Sequence, residues 1–331
     1  MQQTASWKFW VCVGIMQISL LTPPAWSQST ATPSAPGPGL DAKAYVTYGI
    51  ENGGKGDLVA AIGAFNQAIA VDPKFAPAYF FRAKAEAQQN KLDAAMADYS
   101  HAIQFDATYK DAYYQRGTIE GQKGDFDAAI SDFNAVIKFD PKYAPAFYQS
   151  GHVKYFQGDA EGALNDLNQS ISLDPSASLS YFIRGLLRHA QAHRATAAAD
   201  FQKSFDLGFP DAAIWIWIID LENGRHGDAQ KELADALNKP ESFKPDDWPT
   251  PIANYLLGKI TQDQLIAKAA ADDAQANYRT CEAWFYSGMQ KKYAGDAQGA
   301  ADCFAKAIAT GAKGSEEFIE ASRELSEVKS P

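Results

Sequence analysis

Cysteine and clustered basic residues are scarce in this chain of 331 residues. Its three cysteines are too few for a disulfide scaffold. Thirty Lys and Arg residues stand against forty Asp and Glu residues, which gives a formal net charge of −10, and no basic cluster exceeds the pair Lys291-Lys292. Binding to nucleic acid requires a basic surface that neutralises phosphates. The composition therefore argues against a nucleic-acid partner and disfavours binding to anionic membranes.

Motifs for catalysis and for cofactors are missing as well. The sequence contains no glycine loop that would cradle a phosphate, no nucleophile elbow and no HExxH motif. His189 and His193 are four residues apart but have no third ligand nearby, so we expect solvated surface histidines rather than a metal site. We therefore predict that the chain is not an enzyme and uses no cofactor or metal. Its 46 % hydrophobic residues nevertheless suffice for a folded core.

The N-terminus has the features of an export signal. Residues 9–21 form a mostly apolar run of 13 residues behind a single lysine. A membrane-spanning helix needs about 20 apolar residues, and Pro23-Pro24 end this run too early. Small residues precede a cleavage site after Ser27. The sequence therefore predicts a cleavable signal peptide over residues 1–27, with an uncleaved anchor as the alternative.

The segment after the signal is predicted to be a spacer. Residues 28–41 are rich in Pro, Gly, Ser and Thr, which is typical of a flexible leader. Ala31 offers a second cleavage site within this leader. Cys12 lies in the apolar run without the sequence context that bacterial lipid attachment uses, so we expect no lipid anchor. Once the signal is cleaved no membrane span is predicted, and the chain is expected to be periplasmic or secreted.

A repeat of 34 residues organises the next half of the chain. Starting at Ala42, it gives five units over residues 42–211. Four positions of the repeat carry similar residues in every unit: position 4 (Tyr45, Tyr79, Tyr113, Phe147, Tyr181), position 8 (Gly49, Ala83, Gly117, Gly151, Gly185), position 20 (Ala61, Ala95, Ala129, Ala163, Ala197) and position 24 (Phe65, Tyr99, Phe133, Leu167, Phe201). Small residues at 8 and 20 let two antiparallel helices approach closely, and the large residues at 4 and 24 fill the space between helix pairs.

The ends of the predicted helices follow the same period. Gly-Asp at positions 15 and 16 breaks the first helix and caps the second, as at Gly124-Asp125. Proline at position 32, as at Pro141, ends the unit. This pattern resembles the tetratricopeptide repeat. The resemblance implies an all-α, right-handed solenoid of helical hairpins, because a single unit cannot bury its apolar face alone.

A charge pattern runs through the same repeats. Three repeats have Arg at position 7 and Asp at position 23, and the pairs are Arg82 with Asp98, Arg116 with Asp132, and Arg184 with Asp200. This pairing predicts a ladder of partly buried ion pairs, within a repeat or between adjacent repeats. We interpret the ladder as structural rather than as a ligand site.

The 34-residue repeat becomes irregular after residue 211. Residues 212–280 are predicted to be a degenerate helical region with helices over 212–222, 228–238, 252–257 and 262–271 and a proline-rich loop around Trp248. A last full repeat covers residues 281–314, and residues 315–331 form a closing helix and tail. In that helix the apolar stripe Phe318, Ala321, Leu325 and Val328 is expected to face the core, with the charged residues facing solvent.

The C-terminal third resembles the new lipoprotein I family of periplasmic adaptors. The matching features are Trp248-Pro249, the segment 255–260, the sequence Trp284-Phe285-Tyr286-x-Gly288 and the tail 317–325. The resemblance covers residues 212–328. It implies binding to envelope proteases and cell-wall enzymes through the repeats, and dimerisation. The missing lipid-attachment cysteine departs from the family pattern.

A peptide-binding groove is predicted on the first helices of the repeats. In tetratricopeptide folds positions 5, 9, 12 and 13 face the groove, and here they carry mainly aromatic and cationic side chains: Phe80, Lys84, Tyr114, Tyr148, His152, Tyr155, Phe156 and Phe182. Aromatic rings suit the anchoring of a peptide. The alternative is that the rings at position 5 are simply buried between repeats.

Two further features leave alternatives open. Cys281 and Cys303 lie on antiparallel helices of the last repeat, and export allows either a disulfide or two buried thiols.

The function predicted is a scaffold for protein or peptide partners in the cell envelope. The alternative is a structural or assembly factor, acting as a homodimer through the region of Trp215 and Trp217 or through the loop at Trp248.

Overall fold

The protein is all-α. The computed structural model describes residues 41–239, 243–245, 247–270 and 275–329, and over these residues it contains helices and no strand. The helices are α1 (Ala42–Gly54), α2 (Leu58–Val71), α3 (Ala76–Gln88), α4 (Leu92–Phe105), α5 (Lys110–Lys123), α6 (Phe126–Phe139), α7 (Ala144–Gln157), α8 (Ala160–Leu173), α9 (Ser178–Ala190), α10 (Arg194–Asp206), α11 (Asp211–Glu222), α12 (His226–Leu237), α13 (Pro249–Leu256), α14 (Gln262–Ala269), α15 (Ala276–Tyr293), α16 (Ala297–Ala309) and α17 (Glu316–Lys329). The predicted fold class, a solenoid of helical hairpins, is confirmed.

The chain divides into two compact units. The first has its described residues at 41–153, and the second contains the described residues from 154 onward; the division falls inside α7. The predicted signal peptide 1–27 and residues 28–40 of the predicted leader lie outside the described residues. Asp41 is described and caps α1, because its Oδ1 accepts the Ala44 N–H at 2.8 Å.

The turn inside each repeat requires a left-handed residue at position 15. Glycine supplies it in three repeats, with φ of 83°, 84° and 85° at Gly56, Gly124 and Gly158. Asn90 and Ala192 occupy the same position in the other two repeats with φ of 58° and 60°. Asparagine adopts this conformation readily, whereas alanine does so at a cost in backbone strain.

The core of each repeat lies where the sequence predicts it. The alanine at position 20 is fully buried in all five repeats, and the large residue at position 24 is no more than 1 % exposed in any of them. The small residue at position 8 is needed for this packing. A Cβ added at Gly185 would lie 2.7 Å from Cε1 of Phe201, too close for two carbon atoms in contact.

The ion-pair ladder is confirmed, and each pair lies within one repeat. Arg116 donates from Nε and Nη2 to the two carboxylate oxygens of Asp132, both at 2.8 Å, and its Nη1 donates to Ser100 Oγ at 3.0 Å in the preceding repeat. Arg82 and Arg184 repeat this arrangement, with Nη1 donating to Asn66 and to Asn168. Each arginine therefore joins both helices of its own repeat to the second helix of the repeat before.

The second unit continues with less regular helix pairs. Thr261 caps α14 in a capping box with Gln264, and α15 begins at Ala276, five residues before the predicted start of the last repeat at Cys281. Trp215 and Trp217 are 0 % and 2 % exposed, so the homodimer surface predicted around these two residues is corrected: both rings are part of the core of α11. Within the described ranges no helix has the length and apolar character needed to cross a membrane.

Candidate peptide-binding surface

Three of the four predicted site rings at position 5 are interior. Phe80, Tyr114 and Phe182 are 7 %, 4 % and 4 % exposed. Each contacts a ring at the end of its own repeat: Phe80 lies 4.9 Å from Tyr109, Tyr114 5.6 Å from Tyr143, and Phe182 4.7 Å from Phe209, between ring centroids. The prediction that these three rings anchor a ligand is therefore corrected, because their surface is already used in packing.

Lys84, Tyr148 and His152 are the other predicted site residues of the first unit. Lys84 is half-buried, and burial lowers the pKa of its ammonium group while Asp111 on the next repeat raises it. The ring of Tyr148 stacks on that of His152 with centroids 5.6 Å apart. His152 is 3 % exposed, whereas Tyr148 retains part of its surface. Of the predicted site residues in this unit, Lys84 and Tyr148 therefore keep part of their surface exposed, and the charge of the exposed Asp111 acts on Lys84.

Tyr155, predicted to line the groove in the second unit, is covered by α17. Its hydroxyl donates to Glu320 Oε1 at 3.4 Å, and the side chain is buried. Phe156 contacts the Tyr155 ring edge-on at 5.4 Å and is half-buried. The expectation that Tyr155 is available to a ligand is corrected, since a helix of the same chain already occupies the place.

The buried face of α17 is acidic, which the sequence analysis missed. Ala321 is the one member of the predicted stripe that is fully buried; Phe318, Leu325 and Val328 are half-buried. Four glutamates are buried instead, namely Glu316, Glu317, Glu320 and Glu324, at 8 %, 7 %, 2 % and 1 % exposure. The 34-residue period offered a signal, because it puts Ser315 at position 1 of a further repeat and so makes α17 a first helix that packs on both sides.

The carboxyl groups around α17 interact with one another. Burial and the nearby Glu317, Asp211 and Glu316 raise the pKa of Glu282 well above its ordinary value, although Trp248 Nε1 donates to Glu282 Oε2 at 2.6 Å. Burial, Glu316 and Asp211 likewise raise the pKa of Glu317 well above the ordinary value. Tyr286 donates its hydroxyl to Glu317 Oε1 at 3.3 Å. Protonation of Glu282 and Glu317 therefore favours the docked helix.

His189 is not the solvated residue that was predicted. It is 5 % exposed, and its Nε2 lies 3.0 Å from both carboxylate oxygens of Glu222. Arg194 and Tyr293 also donate to Glu222, at 2.9 and 3.1 Å. Burial alone would raise the pKa of Glu222, but the hydrogen bond and charge of His189, followed by those of Arg194, lower it to about 2. The partner of His189 lies 33 residues away, so local spacing could not reveal it.

His193 is separate from this cluster and exposed at the N-terminus of α10. Over the part of the chain that the structure describes, no group of three or more His, Cys, Asp or Glu side chains could hold a metal ion.

The two cysteines of the last repeat are buried free thiols. Cys281 Sγ lies 3.7 Å from Ser315 Oγ, and Cys303 Sγ lies 4.0 Å from Gln262 Nε2. Each sulfur therefore has its own polar neighbour. Of the two alternatives, the structure has two buried thiols and not the disulfide. Burial raises the pKa of Cys281 to about 12, so its reactive thiolate form is disfavoured.

Comparison with known proteins identifies the repeats. Residues 53–110, 110–143 and 144–176 match descriptions of the tetratricopeptide repeat. No curated protein sequence matches the chain.

Several solved structures are similar in fold. A tetratricopeptide repeat protein from Parabacteroides merdae is 14 % identical over 87 % of this chain and 99 % of its own, with a TM-score of 0.56. PilW, described as a widely conserved type IV pilus biogenesis factor, is 18 % identical over 60 % of this chain and 93 % of its own, with a TM-score of 0.52. MamA is 24 % identical over 50 % of this chain and 91 % of its own, with a TM-score of 0.47. The chain therefore contains tetratricopeptide repeats and has the all-α fold of tetratricopeptide-repeat proteins.

Proposed function

We propose that the chain is an exported scaffold that binds protein or peptide partners in the cell envelope and catalyses no reaction. The observation that carries the proposal is the run of tetratricopeptide repeats at residues 53–176, since stacked hairpins of this kind create extended surfaces for partners. The apolar run of residues 9–21 supports export. The similarity of residues 212–328 to the new lipoprotein I family supports an adaptor role for envelope proteases or cell-wall enzymes.

The partner surface proposed in the first unit is smaller than the sequence indicated. With Phe80 and Tyr114 in the core, it consists of Lys84, Asp111 and Tyr148. A cation, an anion and an aromatic ring together favour a peptide with mixed charge over a purely apolar one.

Affinity capture from the native envelope tests this function. The purified chain serves as bait, bound proteins are identified by mass spectrometry, and binding is then measured with each purified candidate. The bait variant Lys84→Glu/Tyr148→Ala should bind the partner with at least tenfold lower affinity. Lys138→Glu on the exposed side of α6 is the matched control and should retain it. Circular dichroism establishes that both variants are folded.

Three outcomes would count against the proposal. Equal recovery of the partner with both variants would show that the surface formed by Lys84, Asp111 and Tyr148 does not bind it. Recovery of nothing beyond the tag control would remove the scaffold role itself. Recovery of the chain alone, together with a dimeric mass in sedimentation, would favour the homodimeric assembly factor.

A further inference from the structure

The turn that ends the third repeat (residues 110–143) holds a lysine side chain. Lys110, at position 1, donates from Nζ to Asp140 Oδ2 at 2.9 Å, and the same Nζ lies 4.5 Å from the centroid of the Tyr143 ring. The other carboxylate oxygen, Asp140 Oδ1, accepts the backbone N–H of Lys142 at 3.2 Å. The carboxylate at position 31 and the ring at position 34 thus bind a primary ammonium group, which in this repeat comes from the chain itself.

The second repeat (residues 76–109) has the same turn without the lysine. Asp106 and Tyr109 occupy positions 31 and 34, and the Tyr109 N–H donates to the Asp106 carbonyl at 3.0 Å. The equivalent distance in the third repeat is 3.1 Å. Position 1, however, is Ala76, whose methyl group has no donor and no charge. The second repeat therefore has the carboxylate and the ring but not the ammonium group.

Asp106 has one carboxylate oxygen left for such a group. Its Oδ1 accepts both the hydroxyl and the N–H of Thr108, at 2.7 and 2.9 Å, and its Oδ2 corresponds to the oxygen that binds Lys110 in the third repeat. The hydrogen bond from the Thr108 hydroxyl, followed by that from its N–H, lowers the pKa of Asp106, so the carboxylate is charged at neutral pH. Among the described residues, none forms an ion pair with Asp106.

A second carboxylate lies beside the same ring. Asp111 is exposed, two residues after Tyr109, where the third repeat is followed by a proline. Burial, followed by the charges of Asp111 and Asp106, raises the pKa of Tyr109, so both carboxylates are close to that side chain. The charge of Asp111 also acts on Lys84, but no described residue forms an ion pair with Asp111. The ring of the second repeat therefore has two carboxylates nearby, and neither of them is paired.

The ring of the second repeat is accessible on part of its surface. Phe80 contacts Tyr109 with ring centroids 4.9 Å apart, and the Tyr109 side chain is half-buried, as that of Tyr143 is. In the third repeat Lys110 and Asp140 keep 31 % and 37 % of their side-chain surface exposed. The equivalent place thus lies at the surface of the molecule, where a lysine of another molecule can reach it.

We propose that Asp106, Tyr109 and Asp111 form a binding site for a lysine side chain of a peptide partner. The inference rests on the proposed scaffold function and names one side chain that the partner supplies. The ammonium group donates to Asp106 Oδ2 and lies over the Tyr109 ring, whose negative face attracts it, and Asp111 adds a second negative charge. Because exposed ion pairs are weak, the site provides one specific contact within a longer peptide.

A small lysine compound tests the site directly. Nα-acetyl-lysine amide is titrated into the deuterated, 15N-labelled chain at neutral pH and constant ionic strength, and the backbone amide signals are followed by NMR. The compound should shift the signals of Tyr109 and Asp111 in a saturable manner. Nα-acetyl-norleucine amide, which has the same carbon chain but no ammonium group, should shift neither signal.

Two variants identify the groups responsible. Asp106→Asn/Asp111→Asn should weaken binding of the lysine compound at least fivefold, and the asparagine at 106 keeps an oxygen that can accept the Thr108 N–H. Asp72→Asn is the matched control, because Asp72 occupies position 31 of the first repeat and accepts the Lys74 N–H in the same way. It should leave the affinity unchanged. No saturable shift at Tyr109, or an affinity that survives the double variant, would overturn the proposal.

Removal of the chain's own lysine gives an independent readout. Lys110→Ala makes position 1 of the third repeat equal to that of the second, so Nα-acetyl-lysine amide should now shift the signal of Tyr143 as well. Shifts at Tyr143 in this variant, without shifts at Tyr109 in the wild type, would show that the method detects such a site and that the second repeat does not form one. Absence of both shifts would overturn the proposal too.

Failure of this site and failure of the scaffold function are distinguishable. A partner that is captured by the wild type and lost with Lys84→Glu/Tyr148→Ala leaves the scaffold function standing, even if the lysine compound does not bind.

Discussion

The ion-pair ladder predicts that two chemically identical substitutions lower the free energy of unfolding by different amounts. In the fifth repeat Asp200 is 3 % exposed and accepts hydrogen bonds from two arginines, Arg184 at 2.6 and 2.9 Å and Arg188 at 2.7 Å. Asp200→Asn would leave two neighbouring guanidinium groups with no anion between them. Removing one partner from a buried ion pair lowers the free energy of unfolding by about 3–5 kcal/mol. Because the two arginines would then repel each other, we expect Asp200→Asn to lie at the upper end of this range.

The third repeat offers a replacement anion. Arg116 pairs with Asp132, but Glu120 Oε1 also lies 3.7 Å from Arg116 Nε, on the next turn of the same helix. After Asp132→Asn the glutamate can approach the guanidinium and supply the missing charge. We therefore expect Asp132→Asn to cost about 1–3 kcal/mol, less than Asp200→Asn.

Urea unfolding followed by circular dichroism measures both costs. Because repeat proteins need not unfold in one step, hydrogen exchange of α5–α6 and of α9–α10 should be recorded for the same variants. Asp93→Asn, whose salt bridge to Lys123 is exposed, is the control and should be indistinguishable from the wild type. The reasoning is refuted if Asp132→Asn costs as much as Asp200→Asn.

Three further outcomes follow from single residues. Burial, followed by the charge of Asp132, raises the pKa of Glu120 from 4.5 to about 7, so the folded state binds this proton more tightly than the unfolded state and the stability of the protein falls as the pH rises from 4.5 to 7. In thermal melts Glu120→Gln should therefore be more stable than the wild type at pH 8, by at most about 2 kcal/mol. At pH 4 the variant should have no such advantage. Gly185→Ala should cost about 1–3 kcal/mol in urea unfolding because its Cβ meets Phe201, whereas Gly63→Ala, with no atom within 4 Å, should be stabilising by about 0.5–1 kcal/mol. Cys281 should react with iodoacetamide at pH 8 only after unfolding, since burial disfavours its thiolate; rapid alkylation of the native chain would contradict this.

The repeats could be predicted from the sequence because each constraint occurs several times. Ala95 and Tyr99 were recognised as core residues from their equivalents in the other four repeats, and both are buried. The pairing of Arg82 with Asp98 followed from the joint presence of Arg at position 7 and Asp at position 23. The contacts at these positions join fixed positions of the repeat, within one hairpin or between neighbouring hairpins, so the period alone specifies them.

The candidate site could be predicted less well because it depends on contacts specific to this chain. Position 5 was assigned to the groove by the general geometry of the fold. Here, however, Tyr109 and Tyr143 at the ends of their repeats contact Phe80 and Tyr114, and no period in the first helices indicates that. The burial of Glu320 depends on a hydroxyl donor 165 residues away, at Tyr155. A helical wheel of α17 alone therefore favours the wrong face.

The third hydrogen bond of each ladder arginine has a consequence for how such a chain changes length. The second repeat carries both halves of this connection: Arg82 at position 7 donates to Asn66 in the repeat before it, and Ser100 at position 25 accepts from Arg116 in the repeat after it. A duplicated copy of residues 76–109 would bring both halves of this connection with it, so it could be inserted beside the original with its polar groups already paired. Gene duplication of whole repeats can therefore lengthen the array without stranding a buried charge, whereas a duplication that separates position 7 from position 23 cannot.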